Sequence, residues 1–353
     1  MTEYSKKTRV LVVDDSRMYR KILLEILGGD SSFEVVAEAT NGKEAVKYAS
    51  LLKPDVISMD MMMPEMDGIE ATQIIMQETP VPIVIASSVY KSDDIHLAIR
   101  ELEAGAVVIT PKPEAPGIQN YEASAAKYRQ LLKIMSEVKV IRRKKRYMPV
   151  KSISATDTCN IPSGADIIAI GASAGGPEAL KIILQTIYHP ARAPIVVAQH
   201  MDWHFTEGYA EWLDQMFPSG VKTAEEGELL QRGNIYITPG NRHMEITQSG
   251  IIRLKKPVSN NEKWNGHVPS IDLLFKSLTK YLPSGTIAIL LSGMGRDGAE
   301  GLKALKNAGA YTMIQSKESS LIYGMPAEAE KLDAACRILS PEEIGEEINK
   351  ITK

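Results

Sequence analysis

Residues 10–16 read Val-Leu-Val-Val-Asp-Asp-Ser, four strand-forming apolar residues that stop abruptly at two carboxylates. A short apolar run with no polar face suits a strand covered on both sides, as in a parallel sheet. Ile22, Leu23, Ile26 and Leu27 then recur at helical spacing. Working outward, Glu34–Ala37, Asp55–Met59, Ile83–Ala86 and Val107–Ile109 read as further buried strands, each followed by a polar loop. Strands alternating with helices specify an α/β domain with a doubly wound parallel sheet.

A second series of the same kind begins at Ile167–Ile170 and continues through Ile195–Ala198 and Thr286–Leu291. Between the two series, a helix is expected from about Tyr121 to Ile141, with Leu131, Leu132, Met135 and Val138 as its apolar stripe. The stretch from Arg142 to Gly164 is basic, then rich in Ser, Thr and Pro, and reads as a linker. The expected organisation is therefore a domain over 1–141, a linker over 142–164 and a second domain over 165–353. Asn234–Thr238 and His243–Thr247, flanking Pro239-Gly240-Asn241, suggest a hairpin.

Bulk properties narrow the function. The 353 residues are 44% hydrophobic and 24% charged, ordinary for a soluble protein, and suffice for two domains. A net charge of −3 gives no global attraction to nucleic acid, and no nucleic-acid partner is expected. The basic run Arg142–Arg146 is read as a solvated linker face. No stretch approaches the roughly 20 apolar residues that cross a bilayer, so membrane insertion is not expected. Only two cysteines occur, Cys159 and Cys336, far apart and without metal-ligand spacing, as suits a reducing cytoplasm.

Ligand chemistry in doubly wound sheets gathers at the carboxyl ends of strands. In the first half those ends supply Asp14, Asp15 and Asp60, with Ser87 and Lys112 at two others. Clustered carboxylates favour a hard cation such as Mg²⁺, and an aspartate beside it is suited to accept a phosphoryl group. Lys112 and Ser87 would then contact the transferred oxygens. The motifs VVDDS, MDMMMPEMDG, ASS and PKP resemble, in order and context, the flavodoxin-like response-regulator receiver domain over about Thr8 to Ile118. The resemblance implies phosphorylation of Asp60 by a histidine kinase, Mg²⁺ held with Asp14 and Asp15, and phosphoryl sensing by Ser87 and Lys112. Met62 stands where methylesterase receivers commonly carry Glu.

In the second half, Ser173 lies where a strand runs into Ala174-Gly175-Gly176-Pro177 and a helix. Such a turn exposes a hydroxyl, and the N–H groups at the helix start suit an oxyanion. A serine nucleophile needs a base oriented by a third group. His200 ends the strand IVVAQH, and Asp297 follows the strand IAILL, so all three are expected at one sheet edge. GASAGG, QHM, PGNRHM, PSIDLLF, SGMGRDGAEGL and YGMPAEA are similar, in order, to the Rossmann-like catalytic domain of the chemotaxis protein-glutamate methylesterases. That resemblance implies Ser173 as nucleophile, His200 as base, Asp297 as its orienting partner, and Ala174 and Met294 near the oxyanion. It further implies hydrolysis of glutamyl methyl esters on methyl-accepting chemoreceptors, with glutamine deamidation alongside, and no cofactor in the esterase site. A zinc site on His200 and His204 is the competing reading of the same segment, but it lacks the glutamate of H-E-x-x-H and a third ligand. A receptor-binding adaptor without turnover is the alternative from another class.

Overall fold

Apolar runs with no polar face occupy the middle of two helix-covered parallel sheets. The computed structural model describes residues 6–87, 105–106, 108–138, 140, 159, 161–188, 190–217, 220–257, 267–280 and 283–353. The chain divides into two units, Met1–Tyr147 and Met148–Lys353.

The first unit holds strands β1 (Thr8–Val13), β2 (Phe33–Ala39), β3 (Val56–Met59), β4 (Ile83–Ser87) and β5 (Val108–Pro111). They run parallel in the order β2-β1-β3-β4-β5. Helix α1 (Arg17–Gly28) buries Ile22, Leu23, Ile26 and Leu27, the four residues whose spacing predicts it. Helices α2 (Gly42–Leu52) and α3 (Gly68–Glu78) follow β2 and β3. Each of the three starts where a loop side chain takes a free N–H: Ser16 from Tyr19, Asn41 from Glu44 and Asp67 from Glu70. Helix α4 spans Tyr121–Ser136 and buries Ala125, Tyr128, Leu132 and Met135. It ends five residues before the expected Ile141, and its stripe runs through Tyr128 where the sequence reading has Leu131. Val107 and the basic run 142–146 lie outside the described residues.

The second unit carries a seven-stranded parallel sheet in the order β14-β13-β12-β6-β7-β9-β8. Its strands are β6 (Ile167–Ala172), β7 (Ile195–Gln199), β8 (Val221–Thr223), β9 (Ile235–Ile237), β12 (Thr286–Leu290), β13 (Tyr311–Gln315) and β14 (Arg337–Leu339). Helix α5 (Gly176–Thr186) follows β6, and α6 (Trp203–Met216) follows β7 with Asp202 accepting from the His204 N–H at its start. Helix α7 (Ile271–Leu278) precedes β12, and α8 (Ala299–Asn307) follows it. The core combines Ile167, Ala169, Val196, Tyr236, Phe275, Leu290 and Leu302, drawn from six elements.

Two expectations are corrected here. The runs around 234–238 and 243–247 do not form a hairpin with each other. Ile235–Ile237 lies parallel between β7 and β8, while β10 (His243–Ile246) pairs antiparallel with β11 (Ile252–Lys255). Alternation cannot tell which strand a short run will pair with. Gly240 has a different use: a Cβ there would sit 2.6 Å from Trp203 Cα, so only glycine lets this loop close onto the segment after His200. The two cysteines, distant in sequence, form a disulfide with their Cα atoms 5.8 Å apart. It ties the stretch before β6 to buried Cys336 at the start of β14. Sequence separation carries no information about this proximity.

Candidate active site and phosphoacceptor pocket

In the second unit the sheet grows outward from β6 in both directions, β7 on one side and β12 on the other. Such a switch point leaves a crevice at the carboxyl ends of its central strands. Register places the three candidate residues there. Ala172 pairs with Gln199, so Ser173 and His200 leave adjacent strands side by side, and the His200 N–H donates to Ala172 O at 2.8 Å. On the other flank Leu290 pairs with Gly171, and the chain reaches Asp297 seven residues later.

The turn after β6 is held from several sides. Ser173 N–H donates to Ser292 O (3.0 Å) and Gly176 N–H to Ser173 O (2.8 Å). Gly175 takes φ +78°, a left-handed value, and a Cβ there would lie 2.6 Å from Leu321 Cβ. The buried Gln199 carboxamide donates to Ser173 O (2.9 Å) and His200 O (3.0 Å). Ser292 Oγ donates to Ala174 O at 2.8 Å. Among the described residues, no acceptor takes the backbone N–H of Ala174 or of Met294. Gly293, next to Met294, approaches the serine closely, since a Cβ on it would lie 2.5 Å from Ser173 Cβ, and unpaired N–H groups are what an oxyanion requires.

His200 Nε2 donates to Asp297 Oδ2 at 2.9 Å. A carboxylate only accepts, so Nε2 carries a proton; in the neutral ring the lone pair is then on Nδ1. Nδ1 is buried without a hydrogen-bond partner among the described residues, and Ser173 Oγ does not donate to it in this conformation. Asp297 is 1% exposed and accepts from three further groups: Ile271 N–H (2.8 Å), Asp272 N–H (3.1 Å) and Ser270 Oγ (3.2 Å). Burial pushes its pKa up, but the His200 hydrogen bond and charge and the N–H groups of Ile271 and Asp272 outweigh it and hold it below the ordinary carboxylate value. Those two N–H groups begin α7, whose positive end faces the carboxylate. The His267 ring stacks on His200. His204 turns away: its Nδ1 meets Asp202 Oδ1 at 2.6 Å and its ring contacts Trp203. Among the described residues, no metal-ligating cluster includes His200 or His204.

In the first unit, ligand oxygens of Asp14, Asp15 and Asp60 lie within 4.8 Å of one another. Lys112 Nζ bridges Asp14 Oδ2 (2.6 Å) and Asp60 Oδ1 (2.9 Å). Burial raises Asp60 to about 6; Lys112 opposes that rise and Asp14 adds to it. Burial lowers Lys112, but Asp60 and Asp14 outweigh it and leave the ammonium raised. Ser87 Oγ is buried with no partner among the described residues, an unspent donor at the end of β4. Three carboxylates of this spacing fit Mg²⁺, which takes hard oxygen ligands. Tyr19, which sequence reasoning did not single out, lies over the pocket: its ring centroid is 4.5 Å from Lys112 Nζ and its hydroxyl donates to Pro113 O at 2.7 Å. Gln199, Ser270 and His243, which supports Ser270, were likewise unassigned, since nothing in their local sequence reports a contact across the sheet.

A phosphoacceptor-type pocket and a hydrolase-type crevice on two parallel-sheet units define a response-regulated enzyme class. Residues 10–118 match the family described as response regulator receiver domain, and residues 168–348 match CheB methylesterase. The chain is 41% identical to protein-glutamate methylesterase/protein-glutamine glutaminase 4 of Geobacter metallireducens, over 95% of this chain and 96% of that one. It is 39% identical to protein-glutamate methylesterase/protein-glutamine glutaminase 2 of Methanospirillum hungatei, over 98% of each. The crystal structure of the Thermotoga maritima CheB methylesterase catalytic domain aligns with a TM-score of 0.50 and 33% identity, covering 54% of this chain and all of that one. The chain belongs to the CheB methylesterase family and carries a receiver domain in front of the catalytic domain.

Proposed function

We propose that this protein is a phosphorylation-regulated protein-glutamate methylesterase that removes methyl esters from glutamyl side chains of chemoreceptors and deamidates receptor glutamines. The convergence of Ser173, His200 and Asp297 at the switch point beside β6 is the observation that carries this reading. Ser173 Oγ attacks the ester carbonyl while His200 Nδ1 takes its proton, and Asp297 holds the Nε2–H and stabilises the imidazolium. The N–H groups of Ala174 and Met294 receive the oxyanion. Methanol departs with the proton from His200. Water, losing a proton to the same nitrogen, then splits the acyl-enzyme and restores the Ser173 hydroxyl. Productive contact between Ser173 and His200 forms with substrate in place, as such contacts tighten from looser unliganded geometries. No cofactor is assigned to this step.

In the receiver, Asp60 accepts the phosphoryl group from a chemotaxis histidine kinase, and Lys112 and Ser87 contact its oxygens. Asp14, Asp15 and Asp60 would hold Mg²⁺, whose chemistry is charge neutralisation around those oxygens. We assign 1–141 to the receiver, 142–164 to a linker and 165–353 to the catalytic domain, acting in the cytoplasm; no described helix is long and apolar enough to cross a membrane. Methanol release from methylated receptor membranes tests the assignment. Ser173→Ala should abolish release while Asp60 still accepts phosphate from a small phosphodonor. Turnover retained by a folded Ser173→Ala protein would overturn the serine mechanism.

A further inference from the structure

Asp297 can orient His200 only if something orients Asp297, and the hydrogen bonds lead one step further back. Three of its donors come from one short stretch, Ser270 to Asp272, where α7 begins. Ser270 caps that helix, its Oγ accepting from Leu273 N–H at 3.3 Å while donating to Asp297. The Ser270 backbone N–H, which points out of the helix, is taken by His243 Nδ1 at 3.0 Å. His243 lies on β10 and is 4% exposed, from an element otherwise remote in sequence from the triad. An imidazole nitrogen that accepts carries a lone pair, so His243 is held as the neutral tautomer with its proton on Nε2.

We infer that His243 is a positioning residue for the esterase reaction: its unprotonated Nδ1 fixes the Ser270 cap, which aims three donors at Asp297 and through it sets the placement of His200. This rests on the triad reading given above. The chain of contacts is continuous, from His243 Nδ1 to Ser270 N–H, from Ser270–Asp272 to the Asp297 carboxylate, and from that carboxylate to His200 Nε2. Without the acceptor, a buried N–H is left unpaired, and the cap regains water or a partner only by moving. Movement of the cap shifts the donors that hold the carboxylate. His243 touches no reacting atom in this scheme; the hydrogen bond to Ser270 is the contact through which it acts on Asp297.

The test compares His243→Leu, which removes the acceptor, with His243→Asn, whose carbonyl can replace Nδ1. Full-length protein is phosphorylated with a small phosphodonor and assayed for methanol release across pH. His243→Leu should lower kcat roughly tenfold to a hundredfold, less than loss of a triad member, with KM within about twofold of wild type. The apparent pKa of the base in kcat/KM should fall as well, because the titratable groups in contact with His200 among the described residues are Asp297 and His267, and only Asp297 has been displaced. His243→Asn should restore most of kcat and the wild-type pH profile. A His243→Leu protein with wild-type kcat and pH profile overturns the inference. So does a His243→Asn protein as impaired as His243→Leu, since the acceptor would then not be the relevant feature. Should His243→Leu fail to fold, His243→Asn decides alone: near-wild-type kcat and pH profile support the inference, and a kcat lowered about tenfold or more overturns it. Labelling of wild-type Ser173 by a fluorophosphonate separates the two levels: no labelling refutes the triad itself, whereas normal labelling with the outcomes above refutes only the role of His243.

Discussion

His267 lies flat on His200, with ring centroids 4.4 Å apart and planes 10° from parallel. Although part of His267 is open to solvent, desolvation of its ring, and then the charge that His200 can carry, pull its pKa down to about 4, against a smaller upward pull from Asp297. At neutral pH His267 is therefore an uncharged aromatic face laid against the ring that becomes an imidazolium during reaction. A cation over an aromatic face is favoured by about 0.5–2 kcal/mol. His267→Ala should accordingly lose roughly twofold to thirtyfold in kcat/KM by that estimate. His267→Phe, which keeps the face, should stay close to wild type. Methanol release rates for both variants check this, and an unchanged alanine variant would remove His267 from the catalytic account.

The strands at the centre of both sheets were legible because residues such as Val10–Val13 and Ile167–Ala172 are buried throughout, and an unbroken apolar run has few other fates. The placement of Ser173, His200 and Asp297 at one sheet edge was legible for the same reason: each follows a central strand. What escaped is what depends on pairing across the chain. Ile235–Ile237 chose β7 over its sequence neighbour, a decision made by the whole sheet. Ser270 and His243 matter through a hydrogen bond spanning 27 residues, and neither spacing nor propensity announces it.

Cys159 and Cys336 offer a direct check on one such long-range contact. Cross-linking residues so distant restricts the unfolded chain and typically stabilises by about 2–4 kcal/mol. In protein handled without reductant, Cys159→Ser should lower the melting temperature of the catalytic domain. With reductant present the variant and wild type should melt alike. Peptide mapping under non-reducing conditions gives an independent reading. Equal melting temperatures without reductant, with no linked peptide, would show that the bond does not form.

Met62, two residues beyond the proposed phosphoacceptor Asp60, is 60% exposed and offers an attacking water only a weak thioether acceptor. Loss of the phosphoryl group from Asp60 requires a water placed in line with the breaking bond. Met62→Glu supplies an acceptor at that position. The variant should change the autodephosphorylation rate of purified protein severalfold while leaving esterase activity at saturating phosphodonor nearly unchanged. Identical decay curves for the two proteins would rule out a part for this side chain.

Asp60 joins function to stability in a way pH can expose. In the folded receiver its pKa is about 6 instead of 3.8, chiefly through burial. A raised carboxyl pKa means the folded state holds the proton more tightly than the unfolded one. Its contribution is therefore favourable below about pH 4 and is lost as pH rises through 6; above that, an ionised buried carboxylate weakens the fold. The two-unit shift is worth on the order of 2–3 kcal/mol. Asp60→Asn removes the titrating group and leaves Lys112 paired with Asp14, which it contacts at 2.6 Å. With a chelator present, the receiver transition of Asp60→Asn should occur at higher temperature than wild type at pH 7.5, and the two should converge as pH is lowered toward 4. Mg²⁺ added at pH 7.5 should narrow the gap by stabilising wild type more than the variant, because one of the three carboxylates is gone from the latter. Thermal unfolding followed by circular dichroism or calorimetry across this pH range is the measurement. A variant less stable than wild type at pH 7.5 in chelator would mean that attraction to Lys112 outweighs burial, and that Asp60 is ionised to well below pH 6 in the resting receiver.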